Sequence, residues 1–136
     1  MLKRLSFAAV ILLFVGVTDS FAHHAVQSEF DVTKFTVLRA TLTKVEWLNP
    51  HSYMHFDVLG EDKSVQHWNI ETGAPIALRR AGIASRDVFK IGETYVLQVH
   101  PARDGSFTGL MNEVTLPDGT KVQIGSQESI SGGEQK

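Results

Sequence analysis

The stretch FTVLRATLTKVEW, residues 35–47, indicates the fold class of this chain. Apolar and polar residues alternate along it, which is the period of a half-buried β-strand. Leu38 and Leu42 share one face, and Val45 reaches that same face only if the alternation changes parity near Thr43. Such a change predicts a β-bulge, and a bulge bends a long strand around a barrel.

The same alternation recurs in shorter blocks farther along the chain. These blocks are SYMHFDVL (52–59), VQHWNIE (65–71), TYVLQVH (94–100), FTGLMNEVTL (107–116) and a brief KVQI (121–124). One short helix is predicted between the third and fourth strands. Pro75 suits its first turn, Thr72 or Gly73 can cap it, and Gly82 ends it.

The predicted order is three strands, one helix, two strands and a short extra strand. This order is typical of a small OB-like barrel, partly open and five-to-six-stranded, with its helix between strands 3 and 4. An antiparallel sandwich is the alternative, because alternation does not distinguish closure of a sheet from stacking of two sheets.

Composition limits the function classes. The chain has 136 residues, 43% of them hydrophobic, and a formal net charge of −2. This length fits one domain, predicted to span residues 23–125. The basic residues are scattered and form no continuous basic patch of the kind that binds nucleic acid. Cysteine is absent. Any metal site must therefore use histidine and carboxylate ligands.

Residues 1–22 are predicted to be a cleavable signal peptide. Lys3 and Arg4 precede an apolar run, and small residues occupy the positions before a cleavage site after Ala22. A retained membrane anchor is the alternative, but the run is shorter than the roughly 20 apolar residues of a spanning helix. The mature protein is expected in the periplasm with no membrane span, and the polar tail, residues 126–136, is expected to be disordered.

Several segments together resemble a family of small exported bacterial proteins, domain-of-unknown-function family 6152. These segments are AHHAVQSEFD, WLNPHSYMHFDV, WNIETGAPIALRRAG, GETYVLQVHPARDGS and VTLPDGTKV. The resemblance covers the chain from His23 to about Gly125. It implies a signal peptide, paired histidines after it, an Asn-Pro-His turn and a compact β-rich domain, but it carries no activity.

Histidines are the candidate metal ligands. Cleavage after Ala22 gives His23 a free α-amino group, which together with the ring Nδ1 atom can chelate a metal ion such as copper or zinc. A third nitrogen has to come from another histidine. His51, which follows Asn49–Pro50 in the predicted loop between strands one and two, is the first candidate. The other candidates are His24, His55, His67 and His100. The alternatives are a flexible terminus for His23 and His24, and a rigid turn for His51.

Strands two and three place a polar set opposite the apolar face of their hairpin. The set comprises Tyr53, His55, Asp57, His67, Asn69 and Glu71. His55 and His67 are candidate ligands on this face, with ordinary solvent-facing strand residues as the alternative. No cavity is predicted there, so no catalytic role is assigned to Asp57 or Glu71, and no partner is predicted for His100.

Two function classes remain. The first is a non-enzymatic periplasmic binding or accessory protein for a metal ion, a small ligand or an envelope protein. The second is a mononuclear copper redox enzyme built on a histidine brace at His23. The first is favoured because nothing in the sequence indicates an extended substrate surface. The identity of the ligand and the oligomeric state stay open.

Overall fold

The computed structural model describes residues 25–125, in which six β-strands are the main regular elements. They are β1 (Thr36–Glu46), β2 (His51–Leu59), β3 (Val65–Gly73), β4 (Thr94–Pro101), β5 (Thr108–Thr115) and β6 (Lys121–Gln123). The helix α1 (Pro75–Arg80) and a 3₁₀ turn (Arg86–Val88) connect β3 to β4. The predicted signal peptide and the predicted tail lie outside the described residues.

The strands close into a barrel. β1 pairs antiparallel with β2 and with β4, β2 pairs with β3, and β4 pairs with β5. Closure comes from a parallel pairing of β3 with β5, Asn69–Glu71 against Thr108–Leu110, and β6 adds to β5 as an extra strand. This is the predicted OB-type order with α1 in its expected place. The barrel is closed rather than partly open, which excludes the sandwich.

The bulge in β1 lies where the change of parity predicts it. Leu42 pairs with Phe56 and Lys44 pairs with His55, so Thr43 is the extra residue. The Thr43 hydroxyl donates to the carbonyl oxygen of His55 at 3.1 Å. Because of this extra residue, β1 can turn from β4 toward β2 while its apolar side chains stay inside the barrel.

The inward faces of the strands form one hydrophobic core. Its largest buried members are Leu42, Met54, Phe56, Ile70, Leu78, Tyr95, Leu97, Val99 and Val114. Trp68 is buried among them, and Trp47 is partly buried against them. The core therefore fills the barrel interior.

The start of α1 differs from the prediction. β3 continues through Gly73, and Ala74 is the N-cap residue, with no side-chain hydrogen bond to the helix. Thr72 and Gly73 do not cap α1. Proline disfavours helical dihedrals in the residue before it. Ala74 accordingly has extended dihedrals (φ −57°, ψ 157°), and the helix begins at Pro75 itself.

Residues 25–32, here called the cover segment, lie across the outside of the barrel. Phe30 forms a β-bridge with Ala102, and the Asp31 amide donates to the carbonyl of Pro101 at 2.9 Å. Phe30 is buried, yet it is not a member of the barrel core. The segment thus forms a second packed layer over one part of the wall.

No helix in residues 25–125 is both long and apolar enough to cross a membrane.

Candidate ligand cavity

A cavity of about 560 Å³ lies between the cover segment and the barrel wall. Its apolar lining comes from Val26, Phe30, Val32, Leu110, Met111 and Ile124. Its polar lining includes Glu29, His51, Tyr53, Glu71, His100 and Asn112. A concave, mainly apolar site with a few converging polar groups is typical of small-molecule binding sites.

The cavity wall is a row of residues that crosses four strands. Tyr53 on β2 pairs with Glu71 on β3, Glu71 pairs with Leu110 on β5, and Leu110 pairs with His100 on β4. Successive side chains of a strand point to opposite faces. Because the neighbours Met54, Ile70 and Val99 point into the core, this row points outward beneath the cover segment.

His51 and Glu71 form the main polar pair of the cavity. The Nδ1 atom of His51 lies 2.5 Å from the Oε1 atom of Glu71, and Glu71 is only 8% exposed. Burial raises the pKa of the Glu71 carboxyl above its usual range, although the attraction of His51 opposes this and the charge of Glu29 adds to it. This carboxyl is therefore held in a site that disfavours its charge.

The pKa of Tyr53 is affected by the same two carboxylates. The Glu71 carboxylate raises the pKa of the Tyr53 phenol, and burial and the more distant Glu29 add to the effect. Glu29 is exposed on the cover segment, whereas Tyr53 is half-buried on β2. The two sides of the cavity are thus coupled electrostatically, with one carboxylate at the rim and another in the wall.

His100 has a partner that the sequence did not indicate. It is 2% exposed, and its Nδ1 atom lies 2.9 Å from the carbonyl oxygen of Lys34. A carbonyl only accepts, so Nδ1 carries the proton and Nε2 is an acceptor in the neutral ring. Phe35 packs on this ring, with 4.5 Å between ring centroids. His100 therefore joins the start of β1 to the cavity wall.

Asn112 fixes the far end of the cavity. It is the extra residue of a bulge in β5, because Gln98 pairs with Glu113 and Val99 pairs with Met111. Its side-chain nitrogen donates to Gln98 at 2.9 Å, and its side-chain oxygen accepts from Nε2 of Gln123 at 2.9 Å. Its main-chain carbonyl oxygen accepts from the amides of residues 124 and 125. Both ends of this side chain are engaged, which orients the chain after β6 against the cavity.

The predicted polar face of β2 and β3 is also present. The His55 Nε2 atom lies 2.7 Å from Glu46, and the His67 Nδ1 atom lies 2.6 Å from Asp57. Each ring thus has one nitrogen engaged by a carboxylate. His55 and His67 share an outer face, as predicted, and together with Asp57 they line a separate open cavity of about 300 Å³, so the prediction of no cavity on this face was wrong. Neither histidine lines the cavity beneath the cover segment, which begins farther along the hairpin at Tyr53 and Glu71.

The predicted ligands of a metal site are only partly brought together. His51 is the first residue of β2 and not a loop residue, and the preceding Asn49–Pro50 bond is cis. His51 and His100 line the cavity, whereas His23 and His24 lie outside the described residues. Within residues 25–125, no group of three or more histidine and carboxylate side chains is arranged to hold a metal ion.

Comparison with protein families gives one match. The model of a family of unknown function (DUF6152) matches residues 11–113. The chain belongs to this family. The match to DUF6152 includes the cover segment, the His51–Glu71 pair and Asn112, but not Ile124 or Gly125 at the far end of the cavity. No curated protein and no solved structure matches the chain.

The sequence did not reveal two parts of the cavity, the wall at Glu71 and the cover segment opposite it. Glu71 was placed on a strand face without a cavity, and this was wrong because the second wall comes from the cover segment, which is distant in sequence. One signal was available: Phe30 is a bulky apolar residue in the mainly polar stretch QSEFDVTK, residues 27–34. Such a residue needs a surface to pack on, and the outer barrel wall is the surface it finds.

Proposed function

We propose that this chain is an exported binding or accessory protein that holds a small organic ligand in the cavity beneath the cover segment. The observation that carries the proposal is the cavity itself, with its apolar lining and the His51–Glu71 pair in its wall. OB-type barrels commonly use the outer face of strands 2 and 3 for ligands. That analogy of fold supports the position of the site and not the identity of the ligand.

The test is a fragment screen in which binding is located by NMR chemical-shift changes. Ligands of the cavity shift the amides of Glu71 and Asn112. Leu110→Trp places a larger side chain in the cavity wall and is expected to abolish these shifts. Leu59→Trp, at an exposed position near the opposite end of the hairpin, is the matched control. Fragments that bind the Leu110→Trp variant as well as the parent contradict the proposal.

A metal ion is the second candidate ligand, and the state of His51 supports it. In metal sites the ligating histidine usually contacts a carboxylate through its other ring nitrogen, as His51 contacts Glu71. Ala25 lines the same cavity and is joined directly to His24. We propose His23, His24 and His51 as the set to test first, whereas His55 and His67 are the separate candidates on the outer face. A copper redox enzyme built on His23 remains the alternative function that the sequence predicts.

Export and metal binding are tested on one sample. Intact mass of the protein from the periplasmic fraction is expected to correspond to a chain beginning at His23. Calorimetry with Cu(II) is expected to show one tight site, which an extra Met before His23 or a His51→Ala change weakens strongly. Equal affinity of the three proteins contradicts the metal site, and a mass that includes residues 1–22 contradicts cleavage.

A further inference from the structure

The charged groups of the cavity are mainly acidic. Glu29 stands at the rim and Glu71 in the wall, while none of the described lining residues is lysine or arginine. Arg103 touches the cover segment, but its Nε atom donates to the carbonyl of Gln27 at 2.7 Å and the residue does not line the cavity. An anionic ligand therefore meets two carboxylates with no strong base to balance them.

The polar groups of the wall have acceptor capacity left over. Within residues 25–125, Oε1 of Glu71 contacts His51, and neither Oε2 of Glu71 nor the Tyr53 hydroxyl is among the buried polar atoms that lack a partner. Oε2 and the Tyr53 hydroxyl are therefore accessible to a ligand. A carboxylate accepts several hydrogen bonds, so one histidine does not saturate it. A ligand that donates hydrogen bonds fills this acceptor capacity, and a positive charge on it balances the carboxylates.

The remaining surface suits an apolar body next to such a charge. Val26, Phe30 and Leu110 provide hydrophobic surface, and Tyr53 provides an aromatic ring beside the Glu71 carboxylate. Aromatic faces attract organic ammonium groups, the more so when water is excluded. The lining thus offers acidic, aromatic and aliphatic groups within one cavity.

We infer that the cavity selects small organic cations, namely amines with an apolar body. The ammonium group lies against Glu71 and Tyr53, with Glu29 at the rim attracting it from solution. The apolar body packs between the cover segment and Leu110. This inference rests on the proposed function, because it specifies the ligand class of the same cavity.

The test compares three probes with one apolar body and different charge, at pH 8 and with EDTA present to remove metal ions. They are 3-phenylpropylamine, 3-phenylpropan-1-ol and 3-phenylpropionate. NMR titration is expected to give the amine an affinity about tenfold or more above that of the alcohol, because hydrogen bonds to charged groups are the stronger kind. The carboxylate is expected to bind weakest.

Variants separate the role of the charge from that of the fold. Glu71→Gln is expected to remove most of the preference for the amine, and Glu29→Gln, at an exposed position, part of it. Glu61→Gln, in the exposed turn between β2 and β3, is expected to keep the preference unchanged. Equal binding of amine and alcohol, or tighter binding of the carboxylate, overturns the cation inference and leaves the cavity function standing. If no probe shifts the lining amides, both the inference and the proposed function fail.

Discussion

His51 and Glu71 lie side by side at the mouth of the β2–β3 hairpin, with Nδ1 and Oε1 2.5 Å apart, and the carboxyl is the more buried partner. This burial outweighs the attraction of the imidazole, since the net effect is a raised pKa for Glu71. The fold thus penalises the charged form of Glu71 even with His51 beside it.

Glu71→Gln is expected to show this in its pH dependence. A carboxyl with a raised pKa binds its proton more tightly in the folded state than in the unfolded state, so stability falls as pH rises from the usual glutamate range through the folded pKa. The Gln variant lacks that loss. Chemical denaturation at pH 4, 6 and 8 is expected to give a difference in unfolding free energy that favours Gln at pH 8 and shrinks toward pH 4. The prediction is wrong if the unfolding free energy of the parent rises relative to that of the Gln variant as pH rises.

Phe30→Ala is expected to release the cover segment without unfolding the barrel. Phe30 is buried outside the main core, so its loss removes contacts of the segment and few contacts of the strands. Hydrogen exchange of the Asp31 amide is expected to accelerate while that of Phe56 in β2 stays slow. Phe56→Ala, in the core, is the contrast and is expected to lower global stability by about 3–5 kcal/mol. Equal acceleration at both amides in Phe30→Ala speaks against a separate layer.

Tyr95→Phe is expected to destabilise the connection before β4. The Tyr95 hydroxyl donates to the carbonyl of Val88 at 3.0 Å and accepts from the amide of Lys90 at 2.8 Å, and the residue is buried. Phenylalanine fills the same space but leaves both backbone groups without that partner. The expected loss of unfolding free energy is about 1–3 kcal/mol. An unchanged denaturation midpoint means that water replaces the hydroxyl.

Deletion of Thr43 tests the bulge in β1. Without it, Leu42 and Lys44 keep their partners Phe56 and His55, so both faces of the strand stay correct while the bend is lost. The deletion is expected to destabilise the barrel more than Thr43→Ala, which removes only the hydroxyl bond to His55. Equal denaturation midpoints for the two variants mean that the bend is not needed for closure.

Local patterns were sufficient for most of the fold. Alternation placed the strands, and the parity change near Thr43 located the bulge, because the side-chain period of a strand is two. The start of α1 was wrong because capping preference was weighed above the restriction that Pro75 imposes on Ala74. The capping preference of Thr72 and Gly73 therefore did not decide where the helix begins.

The candidate site was predicted less completely because its second wall is non-local. Tyr53 and Glu71 were correctly placed on one face of a hairpin. Nothing in that hairpin shows that Phe30 covers it, since the cover segment reaches the wall through backbone bonds to residues 101–103. His100 was left without a partner because its partner is a main-chain carbonyl, which no side-chain motif reveals.

The parallel pairing of β3 with β5 has a consequence for biosynthesis. The hairpins of β1, β2 and β3 form from neighbouring residues, but Glu71 meets Leu110 only after β5 has been made. An incomplete chain therefore lacks one side of the cavity wall, however well its hairpins form. Under the proposed function, a ligand of the cavity would bind and, by mass action, stabilise only the completed protein.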